Sequence, residues 1–151
     1  MSSIDGLPPA GLARRLGALL YDSLLLLALL MIGTACFLPF TGGEAVTFDA
    51  FPRLTVLHRL VLLLLIVGFY GVFWRRRGQT LGMASWRLRV EREDGALLGW
   101  PDVLARIGAG LVSLVPAGLG WWWILVDRER RAWHDRLSHT RVVVVPKHQE
   151  R

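Results

Sequence analysis

Two long blocks of apolar residues constrain the fold of this chain more than any other feature. The first runs over about residues 16–40 and the second over about residues 54–74. Each has the apolar length of roughly 20 residues that a helix needs to cross a hydrocarbon core of about 30 Å. Apolar residues occupy all sides of both blocks, as lipid requires and water would not tolerate. We therefore predict an integral membrane protein with at least two transmembrane helices.

The first block also has the position of a secretory signal peptide, because Arg14 and Arg15 precede it. Its apolar stretch is longer than the h-region of a typical signal peptide, Asp22 interrupts it, and no A-x-A pattern follows. A retained membrane helix is the better interpretation. Cys36 is the only cysteine, which excludes a disulfide framework and a cysteine-based metal cluster.

A third apolar block, residues 103–126, is interrupted by the sequence P-A-G-L-G at residues 116–120. Proline removes a helix hydrogen bond and glycine weakens the helix around it. The block is either one kinked span or a segment that enters the membrane, turns at the break and leaves on the same side. A broken backbone survives at membrane depth only where it packs against protein or lines a cavity.

The placement of arginines predicts the orientation, since basic loops face the cytoplasm. Arg14 and Arg15 precede the first block, and the connection at residues 39–53 carries Arg53 as its only basic residue. The next connection is rich in arginine: Arg75, Arg76, Arg77, Arg87, Arg89 and Arg92. We therefore expect a cytoplasmic N-terminus and an external first connection. The tail after the third block is also basic, with Arg128, Arg130, Arg131, Arg136, Arg141 and Lys147.

Two short segments outside the blocks have strand character. Residues 86–91 alternate with period two and are followed by Asp94 and Gly95, a hairpin turn signal. Residues 141–145 are a second, β-branched run. Because lone strands are unstable, we expect the two to pair, which places both on one side of the membrane and favours a re-entrant third block. The predicted fold class is a membrane all-α protein with two transmembrane helices, a broken third helical segment and a small cytoplasmic β-hairpin or sheet.

The most informative charge is Asp22, in the body of the first membrane helix. A carboxylate there costs about 2.5–3.5 kcal/mol on insertion scales, so it usually has a partner and often a function. Arg15 lies two turns earlier on the same face, and Arg106 enters the third block at a comparable depth. We predict an ionic cluster of Asp22, Arg15 and Arg106, closed by Asp135. The alternatives are an Arg106–Asp102 pair, or arginines that snorkel to lipid around a structural Asp22.

Several stretches of the chain, taken in order, match one family pattern. They are R-R-L-G-A-L-L-Y-D at residues 14–22, Q-T-L-G-M at 79–83, L-R-V through D-G at 88–95, L-G-W leading to Arg106 at 98–106, and W-H-D-R-L at 133–137 followed by Thr140, Val142 and Val143. Together they resemble the RDD family of small bacterial membrane proteins, named for one arginine and two aspartates.

The resemblance implies roles for single residues. Arg15 takes the place of the family arginine, Asp22 that of the first aspartate and Asp135 that of the second. The chain departs from the family pattern at His139, where glycine is usual before the threonine, and at Ala84, where a basic residue is common. We predict an RDD-like membrane domain at residues 14–145, between tails at residues 1–13 and 146–151.

Two function classes follow from these features. The first is a transporter or channel component for an ion or small solute, with Arg15, Asp22, Arg106 and Asp135 as the site; transport is also what is usually proposed for the family. The second is a membrane-embedded accessory or scaffold protein whose charge cluster only holds helices together. The expected localisation is the bacterial cytoplasmic membrane, with multiple passes. Membrane lipids and a second copy or another membrane protein are the expected partners.

Other constellations have weaker support. Arg75, Arg76 and Arg77 end a membrane helix, which favours contact with anionic lipid over nucleic-acid binding. His134, Asp135 and His139 lack a fourth ligand and a usual metal spacing, so we expect no metal and no cofactor. Ser113 has no evident base in the sequence, and we do not expect an enzyme.

Overall fold

A computed structural model describes residues 7–116 and 118–146. Residues 1–6 of the predicted N-terminal tail, residues 147–151 of the predicted C-terminal tail, and Ala117 lie outside the described residues. The elements in chain order are helices α1 (Leu12–Ala35), α2 (Pro52–Arg77) and α3 (Leu81–Ser85), strand β1 (Leu88–Arg92), helices α4 (Trp100–Leu114), α5 (Leu119–Trp122) and α6 (Trp133–Leu137), and strand β2 (Thr140–Val144). Short 3₁₀ helices follow α1 at Leu38–Phe40 and α5 at Trp123–Leu125.

Two segments are long and apolar enough to cross a membrane, Leu12–Phe40 and Pro52–Arg77. This confirms the two predicted membrane helices. The residues that α1 buries are Arg15, Ala18 and Asp22, spaced so that they share one face. Five of its leucines are exposed: Leu16, Leu20, Leu24, Leu25 and Leu27. The helix thus turns Arg15 and Asp22 toward protein and these leucines outward, the arrangement that a lipid environment favours.

The third apolar segment is broken as predicted. Trp100–Leu114 and Leu119–Leu125 are together long and apolar enough for one membrane span, and the two helices meet at an angle of 107°. Gly118 lies at the break with a φ of +76°, a conformation that glycine adopts without steric cost. The chain therefore changes direction sharply here instead of continuing as a straight helix.

The two predicted strands pair with each other. β1 and β2 form an antiparallel two-stranded sheet in which Leu88 lies opposite Val144 and Val90 opposite Val142. The turn at Asp94 and Gly95 also forms, with the Ala96 N–H donating to Asp94 Oδ1 at 3.0 Å. It does not close a hairpin, because β1 pairs with β2 and not with a strand that follows the turn. The predicted small sheet is confirmed, and it joins the two segments that were expected to pair.

The sheet has cover on both edges. The residues before α1 run along β2, where the Ala10 N–H donates to Val142 O at 2.9 Å and the Val144 N–H donates to Pro8 O at 2.9 Å. On the other edge, the Val90 N–H donates to Gly78 O at 2.7 Å. Around the sheet, α3 packs on α1, and α4 packs on α2 and α6. The start of α1, the end of α2 and the last strand are therefore held at one place.

His139 forms the tight turn into β2 that its family position requires. Its φ is +50°, in the left-handed region that favours glycine, and its side chain is exposed. This explains physically why glycine is usual at this position, since a Cβ there crowds the backbone. The departure from the family pattern strains the turn without preventing it.

We therefore expect His139→Gly to stabilise the protein by about 1 kcal/mol, because glycine removes the steric cost of the left-handed conformation. His139→Ala is the matched control: it removes the same imidazole but keeps a Cβ, so it should give no gain. The measurement is the free energy of unfolding in detergent. Equal stabilisation by both substitutions would show that the imidazole, and not the backbone, carries the strain.

Candidate functional site

A buried carboxylate shared by two arginines lies where the membrane helices meet the sheet. Asp135, on α6, is fully buried, and Arg15 and Arg106 are nearly so. Arg15 Nη1 donates to Asp135 Oδ2, and Arg106 Nη2 lies 2.7 Å from Asp135 Oδ1. The Ala132 N–H also donates to Asp135 Oδ2 at 3.0 Å, which ties the carboxylate to the start of its own helix. We call Arg15, Arg106 and Asp135 the ion-pair triad.

The arginines of the triad extend it into three further segments. Arg15 Nε donates to Ala10 O at 3.1 Å, and Arg15 Nη2 donates to Arg130 O at 2.9 Å. Arg106 Nη1 donates to Thr140 Oγ1 at the start of β2. The planar guanidinium, with five donors in fixed directions, suits such a junction. The triad thus connects α1, α4, α6, β2 and the residues before α1.

The charges of the triad control the ionisation of two groups. Burial alone would raise the pKa of the Asp135 carboxyl, but the charges of Arg106 and Arg15 outweigh it and hold that pKa well below its usual range. Beside it, burial lowers the pKa of His134 from 6.5 to about 4, and the charge of Arg106 adds to this effect. Asp135 is therefore ionised and His134 neutral at neutral pH.

Asp22 does not belong to the triad. Its carboxylate instead accepts hydrogen bonds from Thr80 Oγ1 at 2.5 Å and from the Gly82 N–H at 2.9 Å. The predicted ion pairs of Asp22 with Arg15 and Arg106 are wrong within the described residues. The physical reason is that α3 folds back against α1 and offers its free N-terminal donors, which satisfy a carboxylate as well as a cation would.

Gly82 allows that close approach of α3. A Cβ at this position would lie 2.3 Å from Ala18 O and 2.8 Å from Asp22 Oδ1. Thr80 caps the same helix, because its Oγ1 accepts a hydrogen bond from the Met83 N–H at 3.1 Å. Asp22 is therefore the outer member of a capping arrangement that fixes α3 on the membrane helix.

Between the triad and Asp22 lies a small cavity of about 80 Å³. Its lining combines charged and polar side chains with apolar ones from α1, α2, α3 and the sheet. The charged and polar members are Arg15, Asp22, Tyr70, Arg106, Trp121 and His134. One water molecule needs about 10–15 Å³ of such volume, so the cavity has room for several waters or one small solute.

The remaining candidate residues lie elsewhere. Arg75, Arg76 and Arg77 form the exposed last turn of α2, where cations complement the helix dipole, and the Arg75 guanidinium lies 4.9 Å from the centre of the Trp100 ring. Asp102 does not pair with Arg106, because its Oδ2 accepts the Gly99 N–H at 2.8 Å and caps α4. Among residues 7–116 and 118–146, no group of three or more His, Cys, Asp or Glu side chains could hold a metal ion.

The comparison with known families gives one finding. The family model described as "RDD family" matches residues 9–139. The chain belongs to the RDD family. No curated protein and no solved structure matches the chain significantly. This membership and the two long apolar helices identify a membrane protein. The match ends before the threonine and valines of β2, so the resemblance noted for that strand lies outside the matched residues.

Four polar residues that lie beside the ion-pair triad or Asp22 were not predicted as site residues from the sequence: Thr80, His134, Thr140 and Ser138. Thr140 accepts from Arg106, and its hydroxyl lies 2.8 Å from that of Ser138. Thr80 and Thr140 stand inside the stretches that carry the family resemblance, which was the one available signal. Thr80 binds a residue 58 positions away in the chain, and Thr140 binds one 34 positions away. The spacing of neighbouring residues in the sequence does not predict contacts over such distances.

The low pKa of His134 predicts an acid-sensitive stability. The unfolded chain binds a proton at His134 below pH 6.5, whereas the folded protein excludes it down to about pH 4. Stability should therefore fall as the pH is lowered from about 6.5 to 4, by up to about 1.4 kcal/mol per pH unit. His134→Phe should flatten this part of the curve, measured as the free energy of unfolding against pH.

His139→Gln is the matched control for the loss of an imidazole, because the side chain of His139 is exposed. If His134→Phe and wild type show the same dependence between pH 6.5 and 4, His134 does not titrate as described.

Proposed function

We propose that this RDD protein is a component of a membrane transporter or channel for an ion or small solute. The observation that carries the proposal is the cavity at Arg15, Asp22, Arg106 and His134, between helices that belong to the membrane part of the chain. Charged side chains are rare inside membrane-spanning segments, and where they occur they usually mark a path for ions or substrates. The sharp break in the third segment fits the same class, because interrupted helices often build transport sites.

Transport would need more than one chain. Two membrane helices and one broken segment are too few to enclose a pathway across the bilayer. The middle parts of α1 and α2 expose large apolar side chains, such as Leu24 and Leu64. We therefore propose that the protein works as a homo-oligomer or with another membrane protein.

A substitution that fills the cavity tests the proposal. Leu19 lines the cavity, and Leu19→Phe should reduce it without removing a charge. Leu27→Phe is the matched control on the exposed face of the same helix. With the protein in liposomes, we expect wild type and Leu27→Phe to move at least one of protons, sodium, potassium or chloride. Leu19→Phe should be about tenfold slower, which corresponds to a barrier about 1.4 kcal/mol higher.

Thermal melting in detergent separates a blocked variant from an unfolded one. A folded Leu19→Phe protein with the wild-type rate would contradict the role of the cavity. A wild-type rate equal to that of empty liposomes for all four ions would contradict ion transport and favour the second candidate.

The second candidate is a membrane-embedded accessory or scaffold protein. The observation that favours it is the contact of Asp135 with two arginines and the hydrogen bonding of Asp22 to Thr80 and Gly82. Such groups hold segments together without being free to bind a solute. In neither case do we expect an enzyme, since Ser113 Oγ donates to Ala109 O at 2.8 Å within its own helix.

We further propose a multi-pass protein of the bacterial cytoplasmic membrane with the N-terminus in the cytoplasm. Support comes from the exposed Arg75, Arg76 and Arg77 at the end of α2, which favour the cytoplasmic, anionic leaflet. The pairing of β1 with β2 supports a third segment that re-enters, because both strands must lie on one side.

This orientation predicts that the connection between α1 and α2 is external. A cysteine at Ala45, in a Cys36→Ala background, should react with a membrane-impermeant maleimide on intact spheroplasts. A cysteine at Ser85 should react only after lysis and is the internal control. The reverse pattern would contradict the proposed orientation.

A further inference from the structure

A second, larger groove lies at the start of α1. It has a volume of about 610 Å³, within the range of small-molecule sites. One wall is the segment that leads into α1, and the other is the end of the third apolar segment. Its lining includes Pro8, Leu12, Arg14, Ile124, Leu125 and Arg130. The groove and the cavity at Asp22 have no lining residue in common, although α1 and β2 contribute to both.

Two cations face this groove. Arg14 and Arg130 are both exposed, and neither has an ion-pair partner among residues 7–116 and 118–146. Nη1 of Arg130 lies 3.7 Å from the point that a Cβ on Gly11 would occupy, so its guanidinium reaches the beginning of α1. The two acids nearest to Arg130 in sequence already have partners. Glu129 pairs with Arg131 at 3.1 Å, and Asp127 pairs with Arg136 at 2.5 Å. The positive charge of the groove therefore lacks a described counter-charge.

The apolar part of the lining indicates what kind of anion fits. Leu125 and the neighbouring Val126 are largely exposed, at 65% and 76%. Leu125 lines the groove together with Leu12, where the candidate span Leu12–Phe40 begins, and this is the level of the lipid headgroups for a helix that crosses the membrane. A free inorganic anion would leave these side chains in water. A lipid would cover them with its acyl chain and place its phosphate between the arginines.

We propose that this groove binds the headgroup of an anionic phospholipid, with its phosphate held by Arg14 and Arg130. Guanidinium groups bind phosphate oxygens through paired, charge-assisted hydrogen bonds. One phosphodiester and two arginines leave the site without excess negative charge. The bound lipid joins the start of α1 to the end of the third segment, next to the carbonyl of Arg130 that Arg15 holds.

Native mass spectrometry of the detergent-purified protein, titrated with phosphatidylglycerol, tests the proposal. Arg14→Gln and Arg130→Gln should each weaken binding about tenfold, since a charge-assisted hydrogen bond has been lost. Arg76→Gln is the matched control: this exposed arginine lies at the end of α2 and should change binding less than twofold by the same reasoning. Arg130→Lys keeps the charge and should retain part of the affinity. Phosphatidylcholine with the same chains should bind less tightly than phosphatidylglycerol.

Three results would overturn the proposal. Equal losses in Arg76→Gln and in the two groove variants would mean general attraction to the surface. Displacement of phosphatidylglycerol by inorganic phosphate at equal concentration would mean a site for free anions. A wild-type protein that binds no phosphatidylglycerol until Asp5 is changed to Asn would mean that the chain's own N-terminal segment occupies the groove. If Arg130→Gln does not fold, Arg14→Gln alone decides, because Arg14 is exposed and has no described role in the fold.

Discussion

The structure depends on one carboxylate, Asp135, shared by Arg15 and Arg106. The three residues come from α6, α1 and α4, so their ion pairs connect the first membrane helix and the short helix before β2 to the third apolar segment. The triad stabilises the fold only while all three residues are present. Removal of one partner leaves a buried charge unpaired, which lowers the free energy of unfolding by about 3–5 kcal/mol. The hydrogen bonds of the two arginines to Ala10, Arg130 and Thr140 complete the set and leave little freedom in how these segments meet.

Around this centre the chain is arranged for lipid. Many leucines of the two membrane helices are exposed, whereas Arg15 and Asp22 of α1 are buried against protein. Asp22 is the clearest example, because its carboxylate finds its donors on α3, which Gly78 and Thr80 place immediately after the second membrane helix. Two buried carboxylates therefore lie on either side of one small cavity. Asp135 is stabilised by ion pairs, and Asp22 is stabilised by hydrogen bonds from the start of α3. The cavity is where the transport and scaffold proposals differ, since it matters to the first and is incidental to the second.

Much of the fold could be predicted from the sequence because lipid makes strong demands. The membrane helices, the break at Pro116 and Gly118, and the pairing of the two strands all follow from length, composition and period. Arg15, Arg106 and Asp135 were also predicted to meet. The partner of Asp22 was predicted wrongly, because the spacing from Arg15 describes proximity along one helix and says nothing about a short helix that folds back on it. The roles of Thr80 and Thr140 depend on distant contacts that no local pattern encodes.

A double-mutant cycle between Arg15 and Asp135 tests the central claim most directly. The free energy of unfolding would be measured in mixed micelles for wild type, Arg15→Gln, Asp135→Asn and the double variant. If Asp135 holds Arg15 as described, the second substitution should cost much less once the first is made, with a coupling energy of about 1.5–3 kcal/mol. The exposed pair Arg92 and Asp94, at 3.6 Å, is the control and should show a coupling below about 1 kcal/mol. Additive losses at Arg15 and Asp135 would contradict the account.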